Sequence, residues 1–315
     1  MRSAVVSSPR HVELQPTVVP EPGPGQVRVR IEGCGVCGSD LPVWLGRPWF
    51  DYPREPGAPG HEAWGVIDAV GPDADGLRAG DRVTGLTYHS YAEFDVAAAG
   101  EVVRLPEELS GSPFPGEPLA CAINVMRRSG IQPGDAVAVV GVGFLGSLLT
   151  RLAVARGASV IAISRRSFAL ELAEAAGAQV ISAERGDVAE QVSAATAGHM
   201  CDVAIEAAGA QATLDLTGQL VRVRGRLVIA GYHQDGPRTV NLQQWNWNGI
   251  DVINAHERDP AVYREGLELA VAEVAAGRLD PAPLFTHAFG LEELNGAFST
   301  MEQHPGGFMK ALVWC

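Results

Sequence analysis

Three short segments of this 315-residue chain carry side chains able to do chemistry. Cys34-Gly-Val-Cys37-Gly-Ser39-Asp40, Gly60-His61-Glu62 and Glu117-Pro-Leu-Ala-Cys121 offer thiol, imidazole, hydroxyl and carboxylate groups, the donor types of metal sites and of acid–base catalysis. A lone C-x-x-C is ambiguous and a lone histidine is more often structural than a ligand, so no one of these segments decides the matter. A fourth segment is more specific. Gly141-Val-Gly143-Phe144-Leu145-Gly146 is G-x-G-x-x-G; it follows the apolar run Ala136–Val140 and opens a stretch with Leu145, Leu148, Leu149 and Leu152 on one helical face. Strand, glycine loop and helix in that order make a dinucleotide site. The first glycine permits the tight turn, the second admits a pyrophosphate to the backbone, the third lets helix and strand pack closely, and the helix amides supply the anion site.

A nucleotide with a free ribose 2′-OH calls for a carboxylate about 20 residues onward, at the end of the next strand. This chain has Ser164-Arg165-Arg166 there. A hydroxyl and two guanidiniums hydrogen-bond a 2′-phosphate where a carboxylate would repel it, so NADP(H) is expected over NAD(H).

These residues need elements to hold them. Up to about residue 117 the chain has short β-like runs broken by Gly and Pro, such as 26–31 and 64–70. From about 133, apolar runs at 136–140, 159–163, 178–181, 202–205, 226–230 and 251–255 alternate with helical patterns ended by glycines, as Gly157 ends the first. That alternation predicts a parallel sheet covered on both faces. A helix over 263–276 and a last apolar run at 309–314 follow. The expected organisation is a β-rich domain over 1–117, a dinucleotide-binding domain over 118–258, and a return to the first domain over 259–315.

Composition excludes other classes. Lys+Arg 24 against Asp+Glu 37 gives a net charge of −13, with no basic stripe, so nucleic acid and anionic membrane surfaces are not expected partners. The longest uncharged stretch, 136–150, is too short to span a bilayer. The N-terminus lacks the apolar block of a secretory signal, and five scattered cysteines fit a reducing compartment; a cytoplasmic protein is expected.

Taken together, the GCGVCGSD and GHE segments, the Pro-rich entry 21–27, Gly80-Asp-Arg-Val83, the glycine loop and the closing Gly307-Phe-Met-Lys310-Ala311 resemble the zinc-dependent medium-chain dehydrogenase/reductase family of alcohol and polyol dehydrogenases over nearly the whole chain. The resemblance implies an α/β protein: a Rossmann-type doubly wound parallel sheet plus a mostly β, GroES-like catalytic domain. It implies Cys37 and His61 as ligands of one catalytic Zn2+, with an exchangeable position left for substrate oxygen. Glu117, 24 residues ahead of Gly141 as in relatives carrying E-P-L, is the implied third ligand, and Cys121 is the alternative. Glu62 resembles a mobile fourth ligand, Asp40 the carboxylate that orients the histidine, Ser39 the hydroxyl that passes the proton, and Lys310 a basic residue on the cofactor pyrophosphate. The segment 83–94 has no cysteine where many relatives carry a structural-zinc lobe, and no histidine follows Asp40 to extend a proton relay.

The implied reaction is hydride transfer between NADP(H) and a secondary alcohol or ketone. Trp44, Trp49, Tyr88 and His256 are candidate substrate contacts, suited to a polyol, sugar-like or hydroxylated-ring compound; Trp245 and Trp247 read as packing residues. A homo-oligomer, dimer or tetramer, is expected by analogy. A zinc-free quinone or enoyl reductase of the same superfamily and a non-catalytic nucleotide binder are the competing readings.

Overall fold

The computed structural model describes residues 1–315, and the chain divides into two compact units, Met1–Ala120 with Asp259–Cys315, and Cys121–Arg258. The chain opens with the hairpin β1 (Arg2–Ser8) and β2 (His11–Pro16). It continues through β3 (Gln26–Gly35), the short helix α1 (Leu41–Leu45), β4 (Glu62–Val70), β5 (Arg82–Gly85), β6 (Phe94–Ala98) and β7 (Val102–Arg104). Helix α2 (Gly116–Ser129) carries the chain across the boundary between the units. Alternation of buried and exposed residues along β3, with Val27, Val29 and Ile31 at 0–2% exposure, is the period-2 pattern of a strand with one face on a core.

The second unit holds β8 (Ala136–Val140), α3 (Phe144–Ala155), β9 (Ser159–Ser164), α4 (Ser167–Ala175), β10 (Gln179–Ser182), α5 (Val188–Ala195), β11 (Cys201–Glu206), α6 (Gln211–Leu220), β12 (Val221–Ile229), α7 (Leu242–Asn248) and β13 (Asp251–Asn254). Its six strands are all parallel in the order β10-β9-β8-β11-β12-β13, so strands are added outward in one direction from β8 and in the other from β11, with the switch point between β8 and β11. Central strands of such a sheet are buried on both faces, which is why β8 reads Ala-Val-Ala-Val-Val without alternation.

The chain then returns to the first unit through α8 (Pro260–Ala275), β14 (Phe285–Gly290), α9 (Leu294–Gln303) and β15 (Lys310–Trp314). The larger sheet of that unit runs β14-β15-β3-β4-β5-β7, with β6 also on β3. No helix is long and apolar enough to cross a membrane.

Two tryptophans part company. Trp245 is 8% exposed in the core of the second unit, whereas Trp247, also expected to pack, is 88% exposed.

At the amino edge of the parallel sheet, Asp202 Oδ2 accepts the Ala136 amide at 2.8 Å and Oδ1 accepts Arg222 Nε at 2.7 Å, tying the starts of β8, β11 and β12 together. Burial pushes the Asp202 carboxyl up, but the Ala136 amide and Arg222 outweigh it and hold its pKa below the ordinary value. A depressed carboxylate pKa contributes stability above the unfolded value, about 3.9, that is lost as pH falls through the folded one. Asp202→Ala is therefore expected to cost about 1–3 kcal/mol at pH 7, with a smaller deficit near pH 3. Urea melts at the two pH values check this; an equal deficit at both removes the charge from the explanation.

Candidate functional site

Strand register builds the first cluster. In the β3–β4 pairing Gly35 stands opposite Glu62 and Cys34 opposite Ala63, while β15 sets Leu312 against Gly35. Residues just past the end of β3 therefore meet residues at the start of β4 and of β15. Gly35 must be glycine: a Cβ there would lie 2.0 Å from Glu62 Oε2 and 3.1 Å from Lys310 Cε. A 3-10 turn over Gly38–Asp40 follows Cys37, and the Asp40 carboxylate folds back to accept the Cys37 amide at 2.9 Å.

Donor atoms of Cys37, His61 and Glu62 all lie within 4.8 Å of one another. Zinc bonds of about 2.0–2.3 Å hold ligand atoms roughly 4 Å or less apart, and sulfur, imidazole and carboxylate together suit a borderline-soft divalent cation. The donor set fits zinc. His61 Nδ1 faces the Pro59 carbonyl at 2.8 Å and Asp40 Oδ1 at 3.3 Å. A proton on Nδ1 serves both acceptors and leaves Nε2 with the lone pair a metal needs. Asp40 is fully buried; its Oδ2 takes the Tyr91 hydroxyl at 2.6 Å, while Oδ1 has no other hydrogen-bond donor than the His61 ring to face.

Electrostatics in this cluster are strong because Asp40, Glu62 and Lys310 are buried. Burial works against the His61 imidazolium, yet Asp40 and the Cys37 sulfur outweigh it and raise its pKa well above the ordinary value. Burial raises the Glu62 carboxyl, opposed by Lys310, and the net shift is upward. Lys310 Nζ sits 2.7 Å from Glu62 Oε1 and 2.5 Å from Oε2, with both side chains at 3% exposure or less. Burial lowers the Lys310 ammonium, but Glu62 overcompensates and its pKa is raised. The expected placement of Lys310 on a pyrophosphate is corrected here: its charge is committed to a buried carboxylate, whose desolvation demands a partner.

Glu117 begins α2, and its Oε1 and carbonyl accept the Tyr263 hydroxyl at 2.6 and 3.0 Å. Cys121 lies one helical turn further on, beyond the unit boundary. Ser39 is half-buried on the turn between Cys37 and Asp40. Trp44, expected to touch substrate, is instead a core side chain: it is 2% exposed, donates its indole N–H to Asn295 at 2.9 Å and packs on Phe298. Trp49 and Tyr88 are 52% and 59% exposed on loops of the same unit. His256 is exposed on the other unit, stacked on Tyr232. Tyr91, Tyr263 and the Lys310–Glu62 pairing escaped the sequence reading, since their partners lie 51, 146 and 248 residues away.

The second cluster is the glycine loop between β8 and α3. Gly141 has φ +94°, and a Cβ on it would come 2.7 Å from Ala208 Cβ. A Cβ on Gly146 would meet the Gly141 carbonyl at 2.1 Å, whereas one on Gly143 would meet nothing within 4 Å. Close packing thus explains the outer glycines, and open space beside the middle one leaves the backbone accessible to a pyrophosphate. Gly143 is the N-cap of α3 and has no side chain to close the helix end that Phe144 and Leu145 open. At the end of β9, Ser164 accepts the Arg166 amide at 3.1 Å, Arg166 Nη2 donates to the Val142 carbonyl at 3.2 Å, and Arg165 is exposed. Partial burial lowers the Arg166 pKa.

Comparison with known proteins points to one family. A zinc-binding dehydrogenase model matches residues 145–272, and an alcohol dehydrogenase GroES-like domain model matches residues 23–107. Sorbitol dehydrogenase of Rattus norvegicus is 28% identical over 99% of this chain and 95% of its own. The 2-dehydro-3-deoxy-L-galactonate 5-dehydrogenase of Pseudoalteromonas atlantica is 26% identical over 93% of each. The crystal structure of a putative zinc-binding dehydrogenase from Sinorhizobium meliloti 1021 bound to NADP superposes with a TM-score of 0.87 at 26% identity, covering 100% of this chain and 99% of that one.

Proposed function

The chain belongs to the zinc-binding medium-chain dehydrogenases, NAD(P)-dependent enzymes of alcohols and polyols, and from that premise we propose that it moves hydride between NADP(H) and a secondary alcohol or its ketone. The substrate class is a polyol, sugar-like or hydroxylated-ring compound, by likeness to the sorbitol and deoxygalactonate dehydrogenases. The observation that carries the reading is the Cys37–His61–Glu62 donor group within 4.8 Å.

When bound, zinc supplies Lewis acidity to the substrate oxygen, and the nicotinamide ring gives or takes the hydride. Cys37 and His61 would hold the metal, with carboxylates of Glu62 and Glu117 completing the set. Glu62 lies within the donor group, and Glu117 is oriented by the Tyr263 hydroxyl; Cys121 is the alternative to Glu117. Asp40 fixes the His61 ring, and Tyr91 fixes Asp40. Ser39, on the turn that ends at Asp40, would hold the proton that leaves or joins the substrate oxygen. Gly141, Gly143 and Gly146, with the first amides of α3, hold the pyrophosphate. One zinc per chain is expected because 83–94 has no cysteine. A homo-oligomer is supported by the open edge strand β13 and by exposed Leu242 and Trp247 on α7. A cytoplasmic setting is supported by five cysteines that no disulfide joins.

Zinc analysis together with an NADP+-coupled screen of secondary alcohols, polyols and sugar-like compounds tests the proposal. Protein purified without chelator and lacking zinc would favour a zinc-free quinone or enoyl reductase. Zinc without turnover across the panel would favour a nucleotide binder.

Coenzyme choice has its own test. Replacing both Arg165 and Arg166 by alanine removes the charge-assisted bonds to a 2′-phosphate, worth about 1.5–3 kcal/mol, so the NADPH KM should rise about 10- to 100-fold while the NADH KM changes little. Equal KM values for the two coenzymes in the unmodified enzyme would reject the preference.

A further inference from the structure

Glu206 ends β11 and is the most heavily hydrogen-bonded carboxylate of the second unit. It is fully buried; Oε1 accepts the Ala208 amide at 2.9 Å, the Gly209 amide at 2.8 Å and the Thr213 hydroxyl at 2.6 Å, and Oε2 accepts His233 Nε2 at 3.0 Å. On the far side of the ring, Arg238 Nε donates to His233 Nδ1 at 2.9 Å. The same guanidinium donates to the Gly209 carbonyl at 3.0 Å and to Asp235. With Nδ1 accepting and Nε2 donating, His233 sits as one defined neutral tautomer between a buried anion and a cation.

The network laces two loops together, the one after β11 and the one after β12. Backbone contact between them is too close for side chains: a Cβ on Gly231 would lie 2.3 Å from the Gly209 amide nitrogen and 2.5 Å from Glu206 Oε2. A Cβ on Gly209, whose φ is +73°, would lie 2.6 Å from the Tyr232 carbonyl. The first loop also packs on the glycine loop, since Ala207 donates its amide to the Val140 carbonyl at 2.9 Å and Ala208 abuts Gly141. Both loops lie at the carboxyl ends of strands on the β11–β12 side of the switch point, where the non-adenine half of a dinucleotide is held on such a sheet.

We propose that His233, braced by Glu206 and Arg238, is a positioning residue for the nicotinamide half of the coenzyme. It sets the two loops whose backbone forms that half of the site. This assignment rests on the dinucleotide reading given above. Ser164, Arg165 and Arg166 lie on the β9 side, so the adenine half should not depend on His233.

Calorimetry of the intact protein with four probes, NADH, NADPH, AMP and 2′,5′-ADP, separates the two halves. His233→Leu is expected to weaken NADH and NADPH by the same factor, about tenfold or more, one to two hydrogen-bonding contacts' worth. AMP and 2′,5′-ADP should bind within about twofold of the unmodified protein. His233→Gln, which keeps a donor toward Glu206, should recover most of the loss, and Arg238→Gln should weaken only the dinucleotides. Unchanged dinucleotide affinity in His233→Leu, or equal losses for the mononucleotides, overturns the proposal. Should the leucine variant fail to fold, the Arg238→Gln pattern across the four probes decides in the same way. If the unmodified protein binds none of the four, the dinucleotide reading itself fails, which is a separate result.

Discussion

Cys37→Ser is expected to lower kcat/KM for alcohol oxidation by about 10³- to 10⁴-fold while leaving the protein folded. Polarisation of the substrate oxygen by the metal is worth several kcal/mol, and each 1.36 kcal/mol is about tenfold in rate. Loss of the proposed thiolate ligand should exceed the roughly 10- to 100-fold cost of losing a residue that only orients a ligand. Cys37 sits on a half-buried turn after β3 and adds little to the core, so the thermal melt should move only slightly. Zinc content, measured by mass spectrometry on chelator-free protein, should fall to a small fraction of one per chain. NADPH affinity should persist, because the glycine loop belongs to the other unit. Activity within about tenfold of the parent in a variant that has lost its zinc would take the metal out of the mechanism.

Lys310→Met should give the largest stability loss of any single substitution considered. In zinc-free protein it leaves Glu62, at 0% exposure, as a buried charge without its partner, a change that typically costs about 3–5 kcal/mol. For a unit of this size that corresponds to a fall in Tm of roughly 6–20 °C. Glu62→Gln combined with Lys310→Met removes both charges, and the double variant should be more stable than Lys310→Met alone. The pH dependence has a definite sign. Burial already raises the Glu62 carboxyl, and without the lysine it rises further. A carboxyl whose folded pKa lies above its unfolded one takes up a proton on folding, so the deficit is greatest at high pH and shrinks as pH falls. Melts of zinc-free parent, single and double variants from pH 8 to 5 test both points. A deficit that ignores pH, or a double variant worse than the single one, would mean that lost packing of the lysine stem, not the stranded charge, is responsible.

Much of the fold is legible in the chain because it rests on local periodicity. The six apolar runs expected between 136 and 255 are the strands of the parallel sheet, shifted by a residue or two, except that β12 begins earlier, at Val221. Two-face burial gives those strands their continuous apolar runs, and glycine punctuation marks where each helix stops. The glycine loop is legible for the same reason, since Gly146 answers to the Gly141 carbonyl five residues back and Gly141 to one neighbouring loop. Cys37, His61 and Glu62 could be named because short motifs carry them, and β3–β4 register with the turn after β3 then brings their donor atoms within 4.8 Å.

Other features have no local signature. A single lysine near the C-terminus looks like a surface residue until β15 pairs with β3 and delivers it to Glu62, 248 residues away. Tyr91 finds Asp40, and Tyr263 finds Glu117, through pairings that no spacing announces. Trp44 and Trp247 show the converse: the same side chain is buried against Phe298 in one place and 88% exposed in the other. Residue types and short spacings therefore determined the strands, the glycine loop and the donor types that gather at Cys37, His61 and Glu62. Which charges are buried, and what neutralises them, was decided only in three dimensions, because strand register joins distant residues and desolvation depends on everything packed around a group, not on its neighbours in the chain.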